Sequence, residues 1–160
     1  MVLEGENMTK ILSDSVMTQI AFLVEDMEES RKSFSAFFGI EATEAVSAGD
    51  FPVVETEYNG TPAKEAGALL SFLKFCPRFE IELICPNQAP SVWRDWLNVH
   101  GEGFHHLAFQ VPDMEKAITE CEAFGMELKQ RGYYSDRSGR YAYLDAQKQL
   151  KCYVELLESF

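Results

Sequence analysis

Four side chains in this sequence have the chemistry to share a divalent cation: Gln19, Glu82, His106 and Glu155. One imidazole, one amide oxygen and two carboxylates form a hard-to-borderline N/O donor set, and the two carboxylates neutralise a doubly charged ion. Such a set suits Zn²⁺, Co²⁺, Ni²⁺ or Mn²⁺ with positions open for water or substrate, better than a closed structural site. Taken singly, none of the four signals a metal. A lone histidine on a strand is more often a hydrogen-bonded core residue. A glutamate in an apolar strand can pair with arginine, and Arg78 and Arg140 are available. Yet Glu82 and Glu155 both sit inside apolar runs, Phe79–Ile84 and Cys152–Leu157, where a carboxylate without a partner is expensive.

An internal repeat groups the four. From Gln19 the chain reads QIAFLVEDME, and from His106 it reads HLAFQVPDME, with six of ten positions identical. Each copy reads as an apolar strand, an Asp at a helix N-cap (Asp26, Asp113) and an amphipathic helix ending at Gly39 or Gly125. Each then closes with a matching strand, FEIELI or CYVELL. Gln19 is thereby equivalent to His106, and Glu82 to Glu155. If a pseudo-twofold axis relates the copies, all four converge on it.

The elements that must position these residues follow from the same pattern. Further strand-like runs are Phe51–Tyr58 and Gly67–Phe75 in the first half, and Met126–Tyr134 and Arg140–Asp145 in the second. Each half reads βαβββ, giving an α+β fold of eight strands and two principal helices. A short helix near Ser91–His100 bridges the halves, with Trp93, Trp96 and Leu97 on one side. Neither half can bury both faces of a four-stranded sheet alone, so the two form one domain. The expected organisation is a flexible tail over 1–15 and a single domain over 16–160. That domain divides into module one at 16–88, the bridging helix at 90–100 and module two at 102–158. Strand alternation places Ile20, Phe22 and Val24 under the first helix and leaves Gln19 on the open face. The same parity sends His105, Leu107, Phe109 and Val111 toward the helices and His106 to the other side. His105 therefore reads as structural, and His100 as an exposed loop residue.

The strand-Asp-helix opening, the GEGFHHLAF segment (Gly101–Phe109) and the closing YVELLE (Tyr153–Glu158) resemble the vicinal oxygen chelate superfamily. That superfamily includes glyoxalase I, methylmalonyl-CoA epimerase, extradiol dioxygenases and bleomycin-resistance proteins. The resemblance spans roughly 16–158. It implies a pseudo-twofold, eight-stranded open-barrel sheet with helices on its outer face, and a homodimer. The stretch from Trp96 to His106, WLNVHGEGFHH, is similar to one that precedes a metal-binding histidine in the epimerase branch. The epimerase ligands are His, Gln, His and Glu in chain order. Gln19, Glu82, His106 and Glu155 are instead similar to the Gln, Glu, His, Glu set of eukaryotic glyoxalase I. Epimerases also carry a basic glutamate in the third strand, and Ala68–Lys74 holds no carboxylate. Either branch implies a metal-dependent isomerase or lyase that moves an α-proton beside a carbonyl. Glu155 is the first choice of base, with Glu82 the alternative. Epimerase-like chemistry is the first expectation and lactoylglutathione lyase-like chemistry the second. A metal-free binding protein of the resistance type is the rival. Extradiol chemistry is disfavoured, because its iron takes two histidines and one carboxylate.

Composition excludes other classes. With 26 acidic and 14 basic residues the formal charge is −12, which disfavours nucleic acid as a partner. At 46% hydrophobic and 12% aromatic, the chain is not a disordered acidic tail. No apolar run is long enough to span a membrane, and Met1–Ser15 lacks the pattern of a signal peptide. Cys76, Cys85, Cys121 and Cys152 form no C-x-x-C pair, which suits reduced thiols in the cytoplasm. Lys129, Arg131, Arg137, Arg140, Lys148 and Lys151 make the 129–151 segment locally positive. A CoA phosphate or glutathione carboxylate is one use for it, and a solvated strand edge the other.

Overall fold

The computed structural model describes residues 10–160. Its elements are β1 (Val16–Leu23), α1 (Met27–Phe38), β2 (Val46–Ser47), β3 (Glu57–Tyr58), β4 (Thr61–Pro62), β5 (Ala68–Cys76) and β6 (Phe79–Pro86). After α2 (Val92–His100) come β7 (Gly103–Gln110), α3 (Met114–Ala123), β8 (Glu127–Tyr133), β9 (Gly139–Asp145), α4 (Gln147–Leu150) and β10 (Tyr153–Ser159). Of the expected tail, residues 1–9 lie outside the described residues. Residues 11–14 form a turn, and Leu12 packs against the core beneath α3. No helix among the described residues is long and apolar enough to cross a membrane.

The repeat folds alike in both copies. The Asp26 side chain accepts from the Glu29 N–H, and Asp113 from the Lys116 N–H, each satisfying a donor the first helical turn leaves orphaned. Gly39 ends α1 at φ 66, a left-handed conformation that a Cβ would penalise. The first strands of the two copies, β1 and β7, pair antiparallel at the centre. The closing strands lie outside them in parallel, β6 on β1 and β10 on β7. All strands join one open mixed sheet in the order β2-β5-β6-β1-β7-β10-β9-β8-β3-β4. One face of this curved sheet is covered by α1, over Val24, Leu73, Ile81 and Leu83, and by α3, over Val111, Leu144, Val154 and Leu156. Toward the opposite face, α2 packs Val92, Trp93 and Leu97 with Ala21, Leu23, Tyr143 and Tyr153.

The sheet has ten strands where eight were expected, and the difference lies in module one. Phe51–Tyr58 is not a strand through its length. Pro52 offers no N–H to a ladder, and residues 51–53 form a turn. Only Glu57–Tyr58 is extended, and it leaves its own module to pair with β8 of the other. Module one's second strand is instead the short Val46–Ser47, on β5.

Candidate metal centre

The register of the central strands brings the four candidate residues together. Gln19 lies opposite Ala108 across the β1–β7 pair, and His106 lies opposite Ala21. In the flanking parallel pairs Ala21 faces Glu82 and Ala108 faces Glu155. Two alanines, each without exposed surface, thus leave room between the polar side chains. Three oxygen atoms gather around one ring nitrogen. His106 Nε2 lies 2.9 Å from Glu155 Oε2, 3.1 Å from Gln19 Oε1 and 3.5 Å from Glu82 Oε2. All four side chains are buried.

That arrangement is short of positive charge. One ring nitrogen carries at most one proton and cannot serve three acceptors, and Glu82 Oε2 has no hydrogen-bond partner. Among the described residues, no Lys or Arg reaches either glutamate: Arg140, one of the alternatives, is paired with Glu158 and Glu115. Burial, then the nearby Glu155 and Glu80 charges, push the Glu82 carboxyl well above the usual carboxylate range. Glu82, His106 and Glu155 can offer ligand atoms that lie within 4.8 Å of one another. The donor types, their convergence and the orphaned carboxylate oxygen fit a divalent cation.

Two contacts aim the donors. Gln19 Nε2 donates to Glu80 Oε1 at 3.0 Å, which turns the amide oxygen toward His106. His106 Nδ1 lies 3.0 Å from His105 Nδ1, and His105 Nε2 lies 3.3 Å from the Val92 carbonyl at the start of α2. Burial and the neighbouring His106 hold His105 well below its ordinary pKa, so it is neutral. A neutral His105 that donates from Nε2 to Val92 can accept at Nδ1 from the His106 Nδ1–H.

His105 does not lie under the outer helices, as alternation had it. The β1–β7 register steps from Ala21↔His106 to Phe22↔Phe104, so His105 is the extra residue of a bulge. The bulge breaks the period of two and turns both histidines to the same side. There His105 packs against Trp96, Tyr143 and Tyr153. His100, placed in a loop by the sequence reading, is the exposed last residue of α2, with its ring 4.1 Å from that of Trp96. Glu80 was missed altogether. Its signal was its place two residues before Glu82, on the same face of one strand.

A cavity of about 370 Å³ opens over the centre, with Gln19, Glu80, Glu82 and Glu155 in its wall. Phe72, opposite Glu82 in the β5–β6 pair, lines it from the strand where the resemblance to epimerases implies a glutamate. The 129–151 segment is locally positive in sequence but mostly paired in space. Lys129 meets Glu127, Arg131 meets Glu57, Arg137 meets Glu55 and Arg140 meets Glu158 and Glu115.

An open, mixed sheet built on two βαβββ repeats, with nitrogen and oxygen donors gathered under a cavity, defines a class of paired-module proteins. Residues 18–144 match the sequence model of the Glyoxalase/Bleomycin resistance protein/Dioxygenase superfamily, and the chain belongs to that superfamily. Among curated proteins none matches the sequence. Among solved structures, methylmalonyl-CoA epimerase from Mycobacterium tuberculosis is similar at TM-score 0.63 and 16% identity, over 97% of this chain and 93% of that one. A hypothetical protein, BH1468, from Bacillus halodurans C-125 gives TM-score 0.63 at 18% identity, over 91% and 95%. A Streptomyces coelicolor methylmalonyl-CoA epimerase variant in complex with 2-nitronate-propionyl-CoA gives 0.61 at 18%, over 90% and 94%. At these identities the likeness is one of fold.

Proposed function

We propose that the protein is a metal-dependent isomerase or lyase that moves a proton on the carbon beside a carbonyl group. The observation that carries this reading is the convergence of three oxygens on His106 Nε2 in the wall of a cavity. Gln19, Glu82, His106 and Glu155 would hold the ion, Zn²⁺, Co²⁺, Ni²⁺ or Mn²⁺. When bound, it supplies Lewis acidity toward a carbonyl oxygen. The chain supplies the rest. Glu155 lines the cavity and takes the α-proton, with Glu82 its pseudo-symmetric alternative. The apolar walls keep water from competing for that proton.

The 96–106 segment and the fold of the solved epimerases support methylmalonyl-CoA epimerase-like chemistry. The second reading, lactoylglutathione lyase-like chemistry, is favoured by the donor set and by Phe72. With no carboxylate along β5, a single base would both remove and return the proton. That suits a shift between neighbouring atoms better than inversion through two opposed bases.

Glu155→Gln is the test. It should abolish exchange of the substrate's α-proton with deuterated solvent, followed by NMR, while metal analysis still finds at least part of the wild-type ion content. Wild-type exchange in that variant would remove Glu155 from the role. A wild-type protein that takes up no ion on reconstitution would favour the metal-free binding reading instead.

A further inference from the structure

We propose that Gln130 is a positioning residue for the metal centre: it holds the first residue of α2 so that the Val92 carbonyl fixes the tautomer of His105 and, through it, of His106. This rests on the reading of Gln19, Glu82, His106 and Glu155 as ligands, and adds a residue that touches none of them. Gln130 lies on β8 with 1% of its surface exposed, and its Oε1 accepts from the Val92 N–H at 3.0 Å. The carbonyl of the same Val92 stands 3.3 Å from His105 Nε2, and His105 Nδ1 stands 3.0 Å from His106 Nδ1. Val92 is thus held on both sides, by β8 at its N–H and by β7 at its carbonyl.

The helix's own cap does not serve that N–H. The first turn of a helix leaves its N–H groups without intrahelical acceptors. At α2 the Ser91 hydroxyl accepts from Arg94 and the Ser91 carbonyl from Asp95, while Val92 is 1% exposed. Because the Val92 N–H can only donate, it settles which end of the Gln130 amide faces it. The Tyr141 hydroxyl, 3.3 Å from Thr56 Oγ1, lies beside the same amide. Without the Gln130 oxygen the Val92 N–H is a buried donor left unpaired, which is costly. A shift of the first turn toward another acceptor relieves that cost and draws the Val92 carbonyl away from His105.

The carbonyl matters because it can only accept, so the ring nitrogen that faces it carries the proton. With its proton on Nε2, His105 offers a lone pair at Nδ1 and takes the His106 Nδ1–H. His106 Nε2 is then left with a lone pair for an ion. Once the carbonyl has moved, His105 can carry its proton on Nδ1, which points at His106 Nδ1. His106 must then keep a proton on Nε2, among the oxygens of Glu155, Gln19 and Glu82, where it competes with the ion. The place of α2 and the readiness of the centre are one geometry, and Gln130 joins them.

Two variants test this. Gln130→Met keeps the length of the side chain and removes the acceptor, whereas Gln130→Glu keeps an oxygen where Oε1 stands. Co²⁺ affinity by chelator competition, the visible absorption of the Co²⁺ protein and nitrogen NMR of the imidazoles in the metal-free protein are set beside urea unfolding. Gln130→Met should weaken Co²⁺ binding about tenfold, the lower end for a group that orients a ligand. It should also shift the Co²⁺ absorption and move part of the His105 population to the Nδ1–H tautomer. Gln130→Glu should bind Co²⁺ as the wild type does, whatever its urea midpoint. Wild-type affinity in a folded Gln130→Met protein overturns the inference, and so does an unchanged His105 tautomer. An equal loss in Gln130→Glu overturns it too, since that leaves Gln130 a packing role alone. Should Gln130→Met not fold, Gln130→Asn, which draws the amide back from Val92, carries the same expectations. The tautomer is read without an ion, so the two readings fail separately. A wild-type protein that takes up no Co²⁺ sinks the proposed centre, while the NMR of the metal-free variants still decides whether Gln130 sets the tautomer of His105.

Discussion

Replacing His105 with phenylalanine should weaken metal binding while leaving the fold in place. His105 is fully buried, and its Nδ1 stands 3.0 Å from His106 Nδ1. A His106 that gives its Nε2 lone pair to a cation must carry its proton on Nδ1. In His105→Phe that N–H faces a ring edge instead of an acceptor. The metal-free protein can escape the penalty by the other tautomer, placing the proton on Nε2 toward Glu155 at 2.9 Å. Only the metal-bound form is held to the unpaired N–H. The cost of an unsatisfied buried donor, about 1–3 kcal/mol, therefore falls on metal affinity. At about 1.4 kcal/mol per tenfold, that is a loss of roughly five- to hundredfold, which overlaps the range usual for a group that orients a ligand. Competition of Zn²⁺ or Co²⁺ against a chelator reads it. Nitrogen NMR of the imidazoles reads the tautomer. His105→Asn, whose side-chain oxygen accepts near the place of Nδ1, should recover most of the affinity. Wild-type affinity in a folded His105→Phe protein would refute the reasoning.

Two further perturbations separate charge from packing. Glu82→Gln removes a buried carboxylate whose Oε2 has no partner. In the presence of chelator it should raise the melting temperature by a few degrees, about 2–4 °C per kcal/mol for a domain of this size. It should also shrink the stabilisation that added metal gives; a lower melting point in chelator would show that the charge was not a burden. Gly139→Ala drives a Cβ into the Glu158 carbonyl oxygen and the Tyr134 ring. The β9–β10 pairing must spread to accept it, at a cost of about 1–3 kcal/mol. Urea unfolding would measure this, and an unchanged midpoint would contradict the packing.

The repeat made the frame legible because equivalent sequences fold to equivalent positions. QIAFLVEDME and HLAFQVPDME both become strand, capping Asp and helix, and their pairing at the centre follows from being the first strands of two like modules. Alternation then sorted Gln19 from Ile20 and His106 from Leu107. It failed at His105, because a bulge is a property of how two strands meet and leaves little mark in either one. The β3–β4 hairpin was illegible for a related reason. Glu57 and Tyr58 pair with a strand of the other module, and nothing local to them names that partner. The charge of the 129–151 segment misled in the same way. Its partners Glu55, Glu57, Glu115 and Glu158 lie outside it in sequence, so a local count saw the cations without their acids.

The pseudo-twofold axis also explains how a symmetric fold holds an asymmetric site. Gln19 and His106 occupy equivalent positions, and the residues beside them in the parallel pairs, Glu80 and Tyr153, do as well. In one half Glu80 accepts from the Gln19 amide and fixes which end faces inward. In the other half the Tyr153 ring stacks at 5.1 Å on His105, the residue that steadies His106. An amide needs an acceptor to settle its orientation, whereas an imidazole needs its second nitrogen held. The difference at Glu80 and Tyr153 therefore follows the difference at Gln19 and His106, and the two pairs must change together. Placing Glu80 on one side only adds a third acidic group to the cavity wall, opposite Lys74 in the β5–β6 pair.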